Sequence, residues 1–200
     1  MKLTESDLDT LLALAMDAAS KAAAMIQTNV GNAGEIESKP GGDTLASQVV
    51  TKTDFASQDL ILDILKESTE KYDLGLLTEE SQDNSSRFQR DYFWCIDPLD
   101  GTLPFTKNQS GYSVSIALVG RDGVSNLGVV ADPRTGNLYH SRTGGGTYRN
   151  GQQVRPTTSP SGKTLTWIMD RSFRKIPDFA SLQSAVETLS VQLGLDGLSI

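Results

Sequence analysis

Helices first and strands after them, in chain order, predict a layered α+β or α/β/α domain. Three observations carry this. Residues 8–26 repeat apolar side chains at helical spacing, residues 92–96 are too apolar to leave one face wet, and strand-like segments at 113–119 and 127–131 flank a short turn. The 200 residues suffice for one sizeable core, or for one domain and part of another.

Thr4-Glu5-Ser6-Asp7 resembles a capping box, with Thr4 as N-cap and Asp7 in place of the usual Glu or Gln. Leu8, Leu11, Leu12, Ala15, Ala19, Ala22 and Ile26 then line one helical face, which is expected to end near Asn29 to Gly31. Gly31 to Ser47 reads as a loop around the Pro40-Gly41-Gly42 turn. A second helix is expected to start at Thr53 or Asp54, with Phe55, Ile61, Leu62 and Leu65 on its apolar face.

Leu74 to Thr78 reads as a strand, and Tyr92 to Ile96 as a strand buried between layers. Ser113 to Val119 and Leu127 to Ala131 form an expected hairpin across Gly120-Arg121-Asp122-Gly123. Asn137 to His140 and Gly146 to Arg149 make another pair, and Asn150-Gly151 is a strong turn signal. Pro156 to Gly162 reads as a connector, followed by a strand at 164–169 and a helix within 177–193. The domains expected are therefore 1–155, metal-binding and α+β, and 156–200, the beginning of an α/β domain that is incomplete.

The formal net charge of −7 disfavours a nucleic-acid polymer as partner. A small anionic substrate stays compatible, because a bound divalent cation reverses the local sign. No apolar stretch reads as a signal peptide or a membrane span, so no membrane partner is expected. The single cysteine, Cys95, reads as a small core residue and fits a reducing, cytoplasmic location. The single histidine, His140, excludes a histidine cluster for zinc and reads as an ordinary strand or turn residue.

Two acidic clusters follow strands: Thr78-Glu79-Glu80-Ser81 and Asp97-Pro98-Leu99-Asp100-Gly101-Thr102. Carboxylates at strand ends can converge at one edge of a sheet. Pro98 stiffens the backbone between the aspartates, and Gly101 permits a sharp turn. Oxygen donors of this kind suit Mg²⁺ or Mn²⁺ better than zinc. Thr102 is a plausible partner for an attacking water, and a helix starting at Gly101 would offer N–H groups to phosphate. The same segments also read as a turn with local hydrogen bonds and a solvated surface pair.

At these residues the chain resembles the inositol monophosphatase superfamily. The similarity runs through Val50-Thr51-Lys52-Thr53-Asp54, Leu77-Thr78-Glu79-Glu80-Ser81 and Trp94-Cys95-Ile96-Asp97-Pro98-Leu99-Asp100-Gly101-Thr102. It continues through Tyr112 to Ala117, Gly128-Val129-Val130, Gly144 to Tyr148 and Asn150-Gly151. The resemblance implies a sugar-phosphatase-like fold of alternating α/β/α/β layers and Mg²⁺-dependent hydrolysis of a phosphate monoester by metal-activated water. It implies metal ligation by Glu79, Asp97, Asp100 and the Leu99 carbonyl, with Asp97 bridging two ions. Glu79 and Thr102 would position the water, Asp54 would orient Thr102, and the Gly101 and Thr102 N–H groups would hold phosphate. A small phosphorylated metabolite is the implied partner, and a homodimer the implied assembly.

Two departures accompany the resemblance. The family's further aspartate, in a C-terminal Trp-Asp motif, has no counterpart; Asp170 and Asp196 stand in a different context. Nucleotidase members carry a Ser-Arg-Ser-His-like segment where this chain has Met169-Asp170-Arg171-Ser172-Phe173, and Leu103-Pro104-Phe105 replaces the Thr-Asn-Phe common in inositol monophosphatases. The alternatives are thus a 3'(2'),5'-bisphosphate nucleotidase acting on 3'-phosphoadenosine 5'-phosphate, and a non-catalytic module that binds metal or a phosphate ligand. A sugar phosphate also stays open as substrate.

Overall fold

The computed structural model describes residues 2–31, 36–38, 49–155, 164–166, 178–192 and 197–199. The chain divides into two compact units, Met1–Val154 and Arg155–Ile200.

The first unit opens with α1 (Glu5–Thr28), capped as the sequence predicts. The Thr4 hydroxyl accepts from Asp7 N–H (3.2 Å), and the Asp7 carboxylate accepts from Thr4 N–H (2.9 Å). A short antiparallel pair follows, β1 (Ile36–Ser38) with β2 (Val49–Thr51). Strand β1 falls inside the expected loop; the residues between the two strands lie outside the described ones. Helix α2 (Lys52–Lys71) starts one or two residues earlier than expected, because Thr51 is the N-cap and Asp54 stands at the third helical position. A box of the Thr-x-x-Asp type satisfies two otherwise orphaned N–H groups there.

Seven strands form one sheet in sequence order: β3 (Gly75–Thr78), β4 (Tyr92–Asp100), β5 (Ser113–Gly120), β6 (Ser125–Asp132), β7 (Asn137–Arg142), β8 (Gly146–Arg149) and β9 (Gln152–Val154). Strands β3 and β4 are parallel, and every later pair is antiparallel. A one-turn helix, α3 (Thr102–Thr106), links β4 to β5. The Asn150-Gly151 turn joins β8 to β9 with both residues at positive φ, +50° and +77°, as a two-residue hairpin turn of this hand requires.

Period-2 alternation divides the sheet. Trp94, Ile96, Val114, Ile116, Leu118, Leu127 and Val129 face α1 and α2 and share one core with Leu11, Ala15, Ala19, Ile26, Ile61 and Leu65. Burying each large side chain contributes about 1.5–3 kcal/mol. The alanines of α1 let the helix approach the sheet closely. The expectation that both faces of β4 are buried is corrected: Phe93, Cys95 and Asp97 point away from the helices and stay half-buried. Phe55 is corrected as well. It is 41% exposed, and the buried residues at the start of α2 are instead Thr53, Asp54, Ser57 and Gln58.

The second unit holds β10 (Thr164–Thr166), α4 (Phe179–Gln192) and β11 (Gly197–Ser199), with the two strands parallel. One strand and one helix were expected here; β11 completes a strand-helix-strand crossover, the usual way to join parallel neighbours. The Pro156 to Gly162 connector and the Met169 to Phe173 segment lie outside the described residues. Among the described residues, no helix is long and apolar enough to cross a membrane. The fold is a layered α+β arrangement, as the sequence predicts.

Candidate metal and phosphate site

Parallel pairing decides where the acids go. Strands β3 and β4 run side by side with Thr78 opposite Ile96, so both C-terminal ends reach the same edge of the sheet. The Glu79 N–H extends the ladder by one bond, to the Ile96 carbonyl (3.2 Å). Glu79 and Asp97 therefore leave adjacent strands at the same level, close enough for each carboxyl to act on the other.

The Asp97-Pro98-Leu99-Asp100 segment belongs to β4 itself, whereas the sequence placed it after the strand. Asp97 pairs with Ser115 and Asp100 with Ser113, so three steps on β4 match two on β5. This is a bulge, and it forms at Pro98, which has no N–H to give the ladder. A bulge re-aims side chains, and here the Leu99 N–H turns back to Oδ1 of Asp97 (3.2 Å). Beyond it the chain turns at Gly101 (φ +87°), where a Cβ would collide with the Gly111 carbonyl. Only glycine fits that close approach.

Burial, the facing Glu79 and the nearby Asp100 push the Asp97 carboxyl up to about 8. A carboxyl in that position calls for a proton or a cation. Glu79, Asp97 and Asp100 line an open cleft of ≈ 480 Å³ together with Cys95 and Ser115. Burial, then the charge of Asp97, raises the Cys95 thiol pKa. Among the described residues, no group of three or more His, Cys, Asp or Glu side chains is drawn close enough to hold a metal. Glu79 and, less strongly, Asp100 act on Asp97 by charge. The donors still fit a hard divalent cation, being oxygens throughout, and the raised Asp97 carboxyl is what a cation would relieve.

Asp54 and Thr102 lie buried outside that cleft. Oδ2 of Asp54 accepts from the Thr51 N–H (2.8 Å) and the Thr51 hydroxyl (2.6 Å), and Oδ1 accepts from the Thr102 hydroxyl (2.8 Å). Burial raises the Asp54 carboxyl, and its three hydrogen bonds oppose the shift. Thr102 Oγ1 also stands 3.2 Å from the Leu99 carbonyl. Leu99 therefore links the two parts of the site, through its N–H to Asp97 and its carbonyl to Thr102. The Gly101 and Thr102 N–H groups stand at the start of α3, whose first-turn donors lack helical partners.

His140 lies away from this site. It sits in β7, stacked on Tyr148 at 5.2 Å with 8° between ring planes. A cleft of similar volume at Lys2, Asp91 and Arg121 holds none of the expected residues.

Sequence reasoning missed Ser57 and Gln58. The Ser57 hydroxyl donates to the Pro98 carbonyl (2.7 Å), and the Gln58 amide donates to Ser81 Oγ (2.9 Å). The available signal was spacing: Asp54, Ser57, Gln58 and Ile61 fall on one helical face, so three polar residues occupy its apolar stripe.

Residues 7–193 match the inositol monophosphatase family. The chain is 34% identical over 149 residues to the Nus factor SuhB of Escherichia coli strain K12, covering 74% of this chain and 53% of that protein. It is 32% identical over 156 residues to an inositol-1-monophosphatase of Synechocystis, covering 78% and 52%. The chain thus spans about half the length of the curated relatives it matches. Among solved structures, the inositol monophosphatase of Anabaena superposes with a TM-score of 0.65 at 25% identity, covering 96% of this chain and 65% of that one. The IMPase of Thermotoga maritima gives 0.66 at 22%, covering 94% and 67%. This chain belongs to the inositol monophosphatase family.

Proposed function

We propose that this chain serves Mg²⁺-dependent hydrolysis of a small phosphate monoester, in the manner of an inositol monophosphatase. The observation that carries the reading is that Asp97 and Glu79 face one cleft from the edge where two parallel strands end. Family membership supports the same reaction class.

In this reading Glu79, Asp97, Asp100 and the Leu99 carbonyl hold the cation. Bound there, Mg²⁺ would lower the pKa of a coordinated water and offset charge on the phosphate oxygens. Glu79 and Thr102 position the attacking water. Asp54 fixes the Thr102 hydroxyl from behind, and the Gly101 and Thr102 N–H groups receive a phosphate oxygen. Residues 156–200 are proposed as the beginning of the C-terminal α/β domain, and a cytoplasmic location is supported by the single cysteine.

The test is phosphate release from a panel of phosphate monoesters, with and without Mg²⁺. Wild type is expected to require the ion. Asp97→Asn is expected to lose more than the ~10–100-fold typical of residues that only support metal ligands. Equal turnover in that variant would sink the assignment. The bisphosphate nucleotidase alternative rests on Arg171-Ser172, which lie outside the described residues. Retained Mg²⁺ and phosphate-ester binding without turnover would favour the binding-module reading instead.

A further inference from the structure

Two tethers leave adjacent residues of α2 and reach the two sides of the carboxyl pair. Ser57 is fully buried, and its hydroxyl donates to the Pro98 carbonyl across 2.7 Å. The same peptide unit presents its N–H, that of Leu99, to Oδ1 of Asp97. A continuous chain of hydrogen bonds thus runs from helix hydroxyl to peptide to carboxyl. Hydrogen bonds in series polarise one another. On the other side, Gln58 Nε2 donates to Ser81 Oγ, two residues beyond Glu79. Thr51 and Asp54 close the first turn of α2 just ahead of these two residues.

We propose that Ser57 and Gln58 are paired positioning residues that set the separation of Asp97 and Glu79, and with it the grip of the site on a divalent cation. The inference rests on the phosphatase reading of that site.

Stability alone does not account for Gln58. Its side chain is buried, yet Oε1 has no hydrogen-bond partner among the described residues. An unsatisfied buried acceptor destabilises the fold, so an apolar side chain of similar shape would suit the core better. A positioning role gives the amide something else to do. Ser57 differs, since losing its hydroxyl would strip a buried carbonyl of its partner.

The experiment is Mn²⁺ titration calorimetry on the metal-free protein, with melting temperatures measured alongside. Gln58→Met is expected to weaken Mn²⁺ binding about tenfold while the melting temperature holds or rises. Ser57→Ala is expected to weaken binding similarly with a lower melting temperature. Ser68→Ala serves as control, since Ser68 is buried on the same helix and its hydroxyl bonds, among the described residues, to the Leu65 carbonyl alone; it should leave binding unchanged. If Ser57→Ala does not fold, Gln58→Met decides. Wild-type affinity in Gln58→Met would overturn the inference and leave the phosphatase reading standing. A wild type that binds no Mn²⁺ would overturn both.

Discussion

The Thr102 hydroxyl donates to Oδ1 of Asp54 across 2.8 Å, joining two buried residues 48 apart in sequence. Asp54 holds the N-terminus of α2 with one carboxylate oxygen and Thr102 with the other. Asp54→Asn separates these duties. The amide oxygen can still accept from Thr51, but the amide NH₂ would then face Thr102 and force its hydroxyl to turn toward the Leu99 carbonyl. Folding should change by only ~1 kcal/mol, within the range for an altered cap. Phosphate release should fall ~10–100-fold, as for residues that orient a metal site. Urea denaturation and a turnover assay check the two halves, and full activity in this variant would remove Asp54 from the mechanism.

Asp97 yields a pH prediction for the metal-free protein. Its carboxyl is raised from 3.8 to about 8, so the native state holds a proton that the unfolded chain releases earlier. The contribution is therefore complete below about pH 4 and is lost as pH rises toward about 8. The melting temperature of metal-free wild type should decline across this window. Asp97→Asn, which cannot ionise, should show a shallower decline, and saturating Mg²⁺ should flatten the wild-type curve. Parallel melting curves for wild type and variant, from pH 4 to 8, would contradict the assignment.

Gly101 is predicted to resist substitution for a backbone reason. Alanine there adopts positive φ and drives its Cβ into the Gly111 carbonyl. Strain of the first kind alone costs about 1–3 kcal/mol. Gly101→Ala should lower the unfolding free energy measured in urea by at least that much, and should also disturb the Thr102 position. Gly151→Ala shares the positive φ but meets nothing within 4 Å. It should cost less and leave phosphate release unchanged.

His140 behaves oppositely to Asp97. Burial lowers its pKa below 6.5, and Nδ1 is buried without a hydrogen-bond partner among the described residues. A group with a depressed cationic pKa supports folding above its unfolded value and loses that support as pH falls through the folded one. His140→Phe retains a ring against Tyr148 and removes the titration. Its melting temperature should fall less than that of wild type between pH 6.5 and 5. Phosphate release at neutral pH should be unaffected, because His140 lies away from the acidic cleft.

Local structure was legible wherever adjacent residues decide it. The Thr4–Asp7 box, the apolar face of α1, the 113–131 hairpin and the Asn150-Gly151 turn all depend on neighbours within a few residues, so pattern and propensity specify them. The chemical identity of the acids was legible too, since carboxylates beside a proline and a glycine announce an oxygen-donor turn. Side-chain partners across the fold were not. Phe55 promised an apolar contact and stands in solvent, while Ser57 and Gln58, plain polar residues in sequence, are buried against the site.

The reason is the reach of the interactions. Helical spacing, capping and turn chemistry act along the chain, and they specify α1, α2 and most strands of the large sheet; β1 and β11, each three residues long, form only through their pairing partners. That β3 lies parallel to β4, that a bulge at Pro98 swings the Leu99 N–H onto Asp97, and that α2 ties Thr102, Pro98 and Ser81 together are long-range outcomes. They depend on burying Trp94, Ile96 and Ile61 in one core, which only the folded chain can do. Composition named the carboxylates, and packing set them face to face.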